Sequence, residues 1–157
     1  MARQPPRLTF QVDDPGAGDI VPLIEQFEGY LAELYPESER RPGDAASPLH
    51  RPNVTFLTAR VDGVPVACGA FADHGDYVEV AKMYVIPTVR GLGLGKQLLE
   101  ALEDEIRRAG GKLVRLESGT AQTEAQELYE RAGYRRCGSF GSHRATPHSI
   151  FMEKSLA

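Results

Sequence analysis

Two hydrophobic periodicities divide the chain. Leu8-Thr9-Phe10-Gln11-Val12 alternates apolar and polar side chains as a short strand does, and Asp13-Asp14-Pro15-Gly16 turns the chain after it. Ile20, Leu23, Ile24, Phe27, Leu31 and Leu34 then recur at helical spacing. They predict a helix from about Asp19, as N-cap, to about Leu34, stopping before Pro36. Residues 36–52 carry four prolines and Gly43 and fit no regular element. They read equally as a binding loop or as a mobile segment. From Asn53 the period becomes two: Val54, Phe56, Ala59 and Val61 lead to Asp62-Gly63, a strong hairpin signal, and Val64, Val66, Cys68 and Ala70 return. A second turn, Asp73-His74-Gly75-Asp76, leads into an apolar run from Tyr77 to Ile86. These segments predict a three-stranded antiparallel meander.

The helical period comes back at Leu94, Leu98, Leu99, Leu102 and Ile106, with Gly110-Gly111 ending the helix. Glu103–Arg107 and Asp104–Arg108 are expected as i,i+4 pairs on its outer side. Residues 112–117 form the next strand, so a strand–helix–strand unit with a right-handed crossover is expected. Thr123-x-x-Gln126 reads as a capping box opening a helix to about Ala132, with Gly133 at its end. Strands from Tyr134 to Phe140 and from Ser149 to Lys154 close the sheet. Residues 1–7 are expected to be a flexible terminus, and 8–157 one domain.

The join between the meander and the second helix holds the most informative chemistry. Val85-Ile86 feeds Pro87-Thr88-Val89-Arg90-Gly91-Leu92-Gly93-Leu94-Gly95-Lys96. A strand running into a glycine-rich turn and a helix N-terminus presents backbone N–H groups and a positive dipole end to an anion. Arg90 and Lys96 bracket this loop with two charges able to pair with phosphate. The dinucleotide fingerprint fails because Lys96 stands where its last glycine belongs; the P-loop fails at Arg90 and Gln97.

What remains, Arg90-x-x-Gly93-x-Gly95, resembles the [RQ]-x-x-G-x-[GA] pyrophosphate loop of the GCN5-related N-acetyltransferase (GNAT) superfamily. Leu128-Tyr129-Glu130-Arg131-Ala132-Gly133-Tyr134 is similar to that family's L-Y-x-x-x-G-[FY] segment. The resemblance implies an α/β (α+β) fold: a mixed, mostly antiparallel sheet of about seven strands, a β-α-β acetyl-CoA-binding core, and helices on both faces. It implies acetyl-CoA as cosubstrate, held by residues Arg90, Gly91, Leu92, Gly93, Leu94, Gly95 and Lys96. Backbone groups of Met83, Tyr84 and Val85 would hold the acetyl carbonyl and pantetheine arm, where the strand splays from its parallel neighbour. Many relatives carry Asn seven residues before the helix tyrosine; here Gln122 stands there, an amide on a longer arm.

Acetyl transfer to an amine needs a base for the ammonium proton, donors for the developing oxyanion and an acid for the leaving thiolate. Glu79, a carboxylate in an apolar strand, is the candidate base, directly or through water; the alternative is a surface residue or a partner of Lys82. Tyr129 is the candidate acid beside the sulfur, and it is equally placed to be a core-facing helix residue. Tyr30, Glu33 and Tyr35, the 36–52 loop and the segment Phe140 to His148 would surround the acceptor. Acidic groups there suit a cationic amine, while His50, Arg51, His143, Arg144 and His148 suit a carboxylate. The expected activity is acetyl transfer to a primary amine of a small molecule, an amino acid or a peptide. The competing reading is a non-catalytic acyl-CoA-binding module.

Composition adds exclusions. In 157 residues the net charge is −4 and charged side chains make up 25%, which disfavours a nucleic-acid partner. No apolar run reaches ~18 residues, so no membrane span is expected, and the N-terminus lacks a secretory h-region. Cys68 and Cys137 are too few for a disulfide framework. Cys68 reads as a small buried hydrophobe. The four His form no ligand-spaced set, so no metal is expected. A cytoplasmic location and a possible homodimer complete the picture.

Overall fold

The computed structural model describes residues 5–35, 47–141 and 145–157. Most of the proline-rich loop, residues 36–46, lies outside them, as do His143 and Arg144 and the first four residues expected to be flexible. The strands are β1 (Leu8–Val12), β2 (Val54–Val61), β3 (Val64–Asp73), β4 (Val78–Val85), β5 (Leu113–Gly119), β6 (Arg135–Arg136) and β7 (Ser149–Ser155). The helices are α1 (Val21–Leu34), α2 (Leu94–Arg108) and α3 (Thr123–Arg131). One seven-stranded sheet runs β1-β2-β3-β4-β5-β7-β6. Every neighbouring pair is antiparallel except β4 and β5.

Helices cover both faces. On one, Leu23, Ile24 and Phe27 of α1 pack with Phe56, Cys68, Ala70 and Tyr84. On the other, Leu94, Leu98, Leu99, Leu102 and Ile106 of α2, with Tyr129 and Tyr134, cover Leu57, Val78, Val80, Val114 and Leu116. Leu98, Leu102 and Ile106 are fully buried, each contributing about 2 kcal/mol by removal from water. The β2–β3 turn follows the sequence reading: Asp62 and Gly63 both take positive φ, at 50° and 82°, as a two-residue hairpin turn requires.

Four local expectations are corrected. Asp19 does not cap α1; the helix starts two residues later with no side-chain cap. The Asp19 carboxylate instead meets Arg60 Nη1 at 2.6 Å, while Arg60 Nη2 lies 3.0 Å from Asp13. Burial raises the Asp13 pKa, but hydrogen bonds from Thr58, Gln11 and Arg60 outweigh it and hold the carboxyl below its usual range. Thr123 forms no capping box, because the Gln126 amide donates to the Gly119 carbonyl at 2.8 Å. The expected strand from Tyr134 to Phe140 shrinks to β6. Finally, Glu103 is not on the outside of α2; it is buried.

That burial has a local reason. Glu103 accepts a hydrogen bond from the Tyr134 hydroxyl at 2.8 Å and two from Lys154 Nζ, at 3.0 and 3.1 Å. Burial first, and the Glu103 charge second, push the Tyr134 phenol well above its usual pKa. The contact ties α2 to β7 and to Tyr134, three residues past the end of α3. Glu103→Ala strands a phenol and a mostly covered ammonium, and is expected to cost about 2–4 kcal/mol. A lowered urea midpoint at unchanged slope would measure it.

Candidate active site

Hydrogen-bond register explains where the sheet opens. β4 and β5 pair only over Val78↔Val114, Glu79↔Arg115 and Val80↔Leu116. Beyond that rung β4 runs on to Val85 and β5 to Gly119 without pairing to each other. The divergence coincides with a bulge: β3 advances from Cys68 to Ala70 while β4 goes from Tyr84 back to Ala81, so one extra residue enters β4. Lys82 takes φ 62° there, a left-handed conformation that costs a non-glycine residue about 1 kcal/mol or more. Gly69 makes the bulge possible; a Cβ on it would lie 2.7 Å from Met83 Sδ and 2.8 Å from Leu102 Cδ1.

The backbone of the gap is polarised. Ile86 N–H donates across to Val66 on β3 at 3.0 Å. The Val85 carbonyl, on the opposite side of that peptide, therefore faces the gap. Past Val85 a short 3-10 turn, Pro87–Val89, leads to Gly91 at φ 82° and Gly93 at φ 77°. Gly93 stands at the start of α2, which has no side-chain cap, and nothing lies within 4 Å of where its Cβ would be. The first helical bond is Gln97 N–H to Gly93. Among the described residues no group accepts from the N–H groups of Gly91 to Lys96. An uncapped helix start with such a row of donors is an arrangement that favours a negative charge. Gly95 packs against Leu128 and Val85, which seats the loop between α3 and β4. Lys96 and Leu92 are exposed.

Arg90 behaves differently from the sequence expectation of a charge aimed at phosphate. Its Nε donates to the gap-facing Val85 carbonyl at 2.8 Å. Its guanidinium lies over the rings of Tyr30, 5.2 Å away, and Tyr84, 5.6 Å away. Tyr84 in turn stacks on Phe27 at 5.2 Å and meets Tyr30 at 5.6 Å. Burial raises both phenol pKa values, and the Arg90 charge opposes it. The residue thus links the cofactor-side loop to α1.

The candidate catalytic side chains sit on opposite faces. Glu79 shares the α1 face; its carboxylate is 16% exposed and lies 3.3 Å from His74 Nε2, a partner the sequence did not suggest. The His74 ring leans on Tyr77 at 5.0 Å, and Arg115 lies over Tyr77 at 5.2 Å. Tyr129 is buried on the α2–α3 face, edge-on to Tyr134 at 5.8 Å. Its hydroxyl makes no hydrogen bond among the described residues, and burial pushes its pKa up, which keeps the phenol protonated. Tyr35 crosses toward the gap: its hydroxyl donates to Gln122 Oε1 at 3.4 Å, which also accepts from Gly119 N–H at 3.1 Å. The Gln122 amide N–H groups are left without an acceptor among the described residues. Glu33 is exposed. Cys68 is no nucleophile, since burial pushes its thiol up to about 12.

Sequence reasoning missed Ser118. It is 4% exposed, and its Oγ has no hydrogen-bond partner among the described residues. A lone serine in a strand carries no sequence signature; only the alternation Val114, Leu116, Ser118 hints that it faces inward. Among the described residues no group of three His, Cys, Asp or Glu is placed to hold a metal, and no helix is long and apolar enough to cross a membrane.

Comparison with known proteins places this geometry. The model of the acetyltransferase (GNAT) family matches residues 21–134. The chain is 40% identical over 153 residues to a protein of Azospirillum brasilense named IAA acetyltransferase, covering 96% of this chain and 99% of that one. It is 32% identical over 102 residues to the aminoalkylphosphonate N-acetyltransferase of Salmonella typhimurium, covering 61% of this chain and 66% of that one. The fold is similar to that of the PaiA N-acetyltransferase of Thermoplasma acidophilum, solved with coenzyme A. The TM-score is 0.69 at 18% identity, covering 94% of this chain and 99% of that one.

Proposed function

The chain belongs to the acetyltransferase (GNAT) family and is an N-acetyltransferase, and from that premise we propose that it moves the acetyl group of acetyl-CoA to the primary amine of a small molecule. The amine attacks directly while both substrates are bound. The observation that carries this reading is the gap between β4 and β5 beyond Val80 and Leu116, opening onto the unclaimed N–H groups of Gly91 to Lys96. The loop amides take the diphosphate of the coenzyme. The edge of β4 from Met83 to Val85 and the side-chain amide N–H groups of Gln122 face the pantetheine arm, which lies in the gap. The N-acetyltransferases among the relatives, one of them named for an aminoalkylphosphonate, support a small amine as acceptor.

In the reaction a nitrogen–carbon bond forms and the carbon–sulfur bond breaks. Glu79 takes the ammonium proton, through water where the distance requires it, and the His74 ring beside it holds the carboxylate in place. The Tyr129 hydroxyl gives its proton to the departing sulfur, so the coenzyme leaves as a neutral thiol, and the second proton that the nitrogen sheds as the amide forms restores the phenol. Tyr30, Tyr35 and the exposed Glu33 line the α1 side, where the acceptor enters.

Thiol release from acetyl-CoA, read with a thiol reagent over a panel of amines, amino acids, polyamines and N-terminal peptides, tests the proposal. An amine-dependent rate is expected, and Tyr129→Phe should lower kcat about 100-fold with the acetyl-CoA dissociation constant unchanged. Tight cofactor binding with no release for any acceptor would leave a binding module instead.

A further inference from the structure

We infer that Ser118 is a binding residue for the acyl-carrying arm of the cofactor, its hydroxyl donating to a carbonyl oxygen of that arm in the gap between β4 and β5. The inference rests on the cofactor assignment proposed above and adds a residue to it. Three observations carry it. First, the last rung joining the two strands is Val80↔Leu116. Ser118 lies two residues beyond it, roughly 7 Å along the strand, level with Lys82, where β4 bulges away. The β5 edge turned toward β4 is bare at this point, while the other edge pairs Ser118 with Ile150 of β7.

Second, alternation fixes the side chain's direction. Val114, Leu116 and Ser118 are the buried residues of β5, and the first two pack with α2 and Tyr129. Gly119 faces the other way, where a Cβ on it would collide with the Tyr35 hydroxyl. Ser118 therefore shares the face of Tyr129, the candidate proton donor, rather than that of Glu79. Third, its Oγ is the buried side-chain polar atom without any hydrogen-bond partner among the described residues. A hydroxyl sequestered from water with nothing to bond is unfavourable in the empty protein. A carbonyl of the acyl-pantetheine arm, arriving in the gap, supplies the missing acceptor.

This logic makes apo stability and cofactor affinity move in opposite directions. Ser118→Ala removes the orphan hydroxyl, so the melting temperature without ligand should hold or rise. The dissociation constant for acetyl-CoA, by calorimetry, should increase roughly five- to tenfold, the net worth of one neutral hydrogen bond. Running free CoA beside acetyl-CoA identifies the acceptor atom. An equal loss for both points to an amide carbonyl of the pantetheine, and a loss for acetyl-CoA alone to the acetyl oxygen. Undiminished affinity for both cofactors would overturn the inference, as would a lower melting temperature without ligand, which would reveal a structural partner for the hydroxyl. Wild-type protein that binds neither cofactor would instead overturn the cofactor assignment, and this inference with it.

Discussion

Gly93→Glu is expected to reduce acetyl-CoA affinity at least a hundredfold, about 3 kcal/mol, and with it all turnover at ordinary cofactor concentrations. Two effects combine. Gly93 holds φ 77° at the start of α2 with open space where a side chain would go. A glutamate there both strains the backbone and sends a carboxylate toward the donors that the diphosphate needs. The row of N–H groups from Gly91 to Lys96 would then be neutralised from within, at the site where the helix dipole favours negative charge. Gly93→Ala separates the two effects, since it carries the strain, about 1–2 kcal/mol, without the charge; its affinity should fall by much less. Calorimetry gives both constants, and thermal unfolding without ligand checks that each variant folds. Binding by the glutamate variant within tenfold of wild type would mean the diphosphate lies elsewhere.

Much of this was legible because it is local. The Asp62-Gly63 turn needs two residues at positive φ and has them; the stripe from Leu94 to Ile106 is one face of one helix; the loop glycines follow directly after a strand. The failures share another cause. Asp19 and Glu103 fit the helical roles nearest them in sequence, but their partners, Arg60, Tyr134 and Lys154, lie 31 to 51 positions away, and a charged partner brought in by the fold outcompetes a cap or a solvated i,i+4 pair. Gln126 has the spacing of a capping box but secures the β5–α3 turn instead. The bulge at Lys82 has no signature at all, because lysine is a poor residue for positive φ; its cause is Gly69 on the neighbouring strand, making room for Met83. Arg90 was recognised by its place in a motif, while its side chain answers to Tyr30, sixty residues earlier in the chain. Motif position thus carried information on the loop's backbone geometry and none on where the Arg90 side chain packs.

Glu79→Gln tests the acceptor half of the site, and its expected signature is a deficit that depends on pH. Glu79 sits on the last strand residues still paired to β5, one position before the rung at Val80, with its carboxylate partly covered and His74 Nε2 at 3.3 Å. Its job in the proposed mechanism is to take a proton from an amine whose pKa in water is about 10. At pH 7 almost all of that amine is protonated, so loss of the base should lower kcat/KM about 100-fold, the low end for general-base catalysis. As the pH rises toward 10 the amine deprotonates by itself, and the variant should close on the wild type. Glutamine keeps the shape and the capacity to accept from His74 but cannot take the proton, so acetyl-CoA affinity should be untouched. A variant whose rate stayed a constant fraction of wild type from pH 7 to 10 would place Glu79 in a structural pair with His74. In that case the base would be sought elsewhere on the α1 face, where Glu117 also stands.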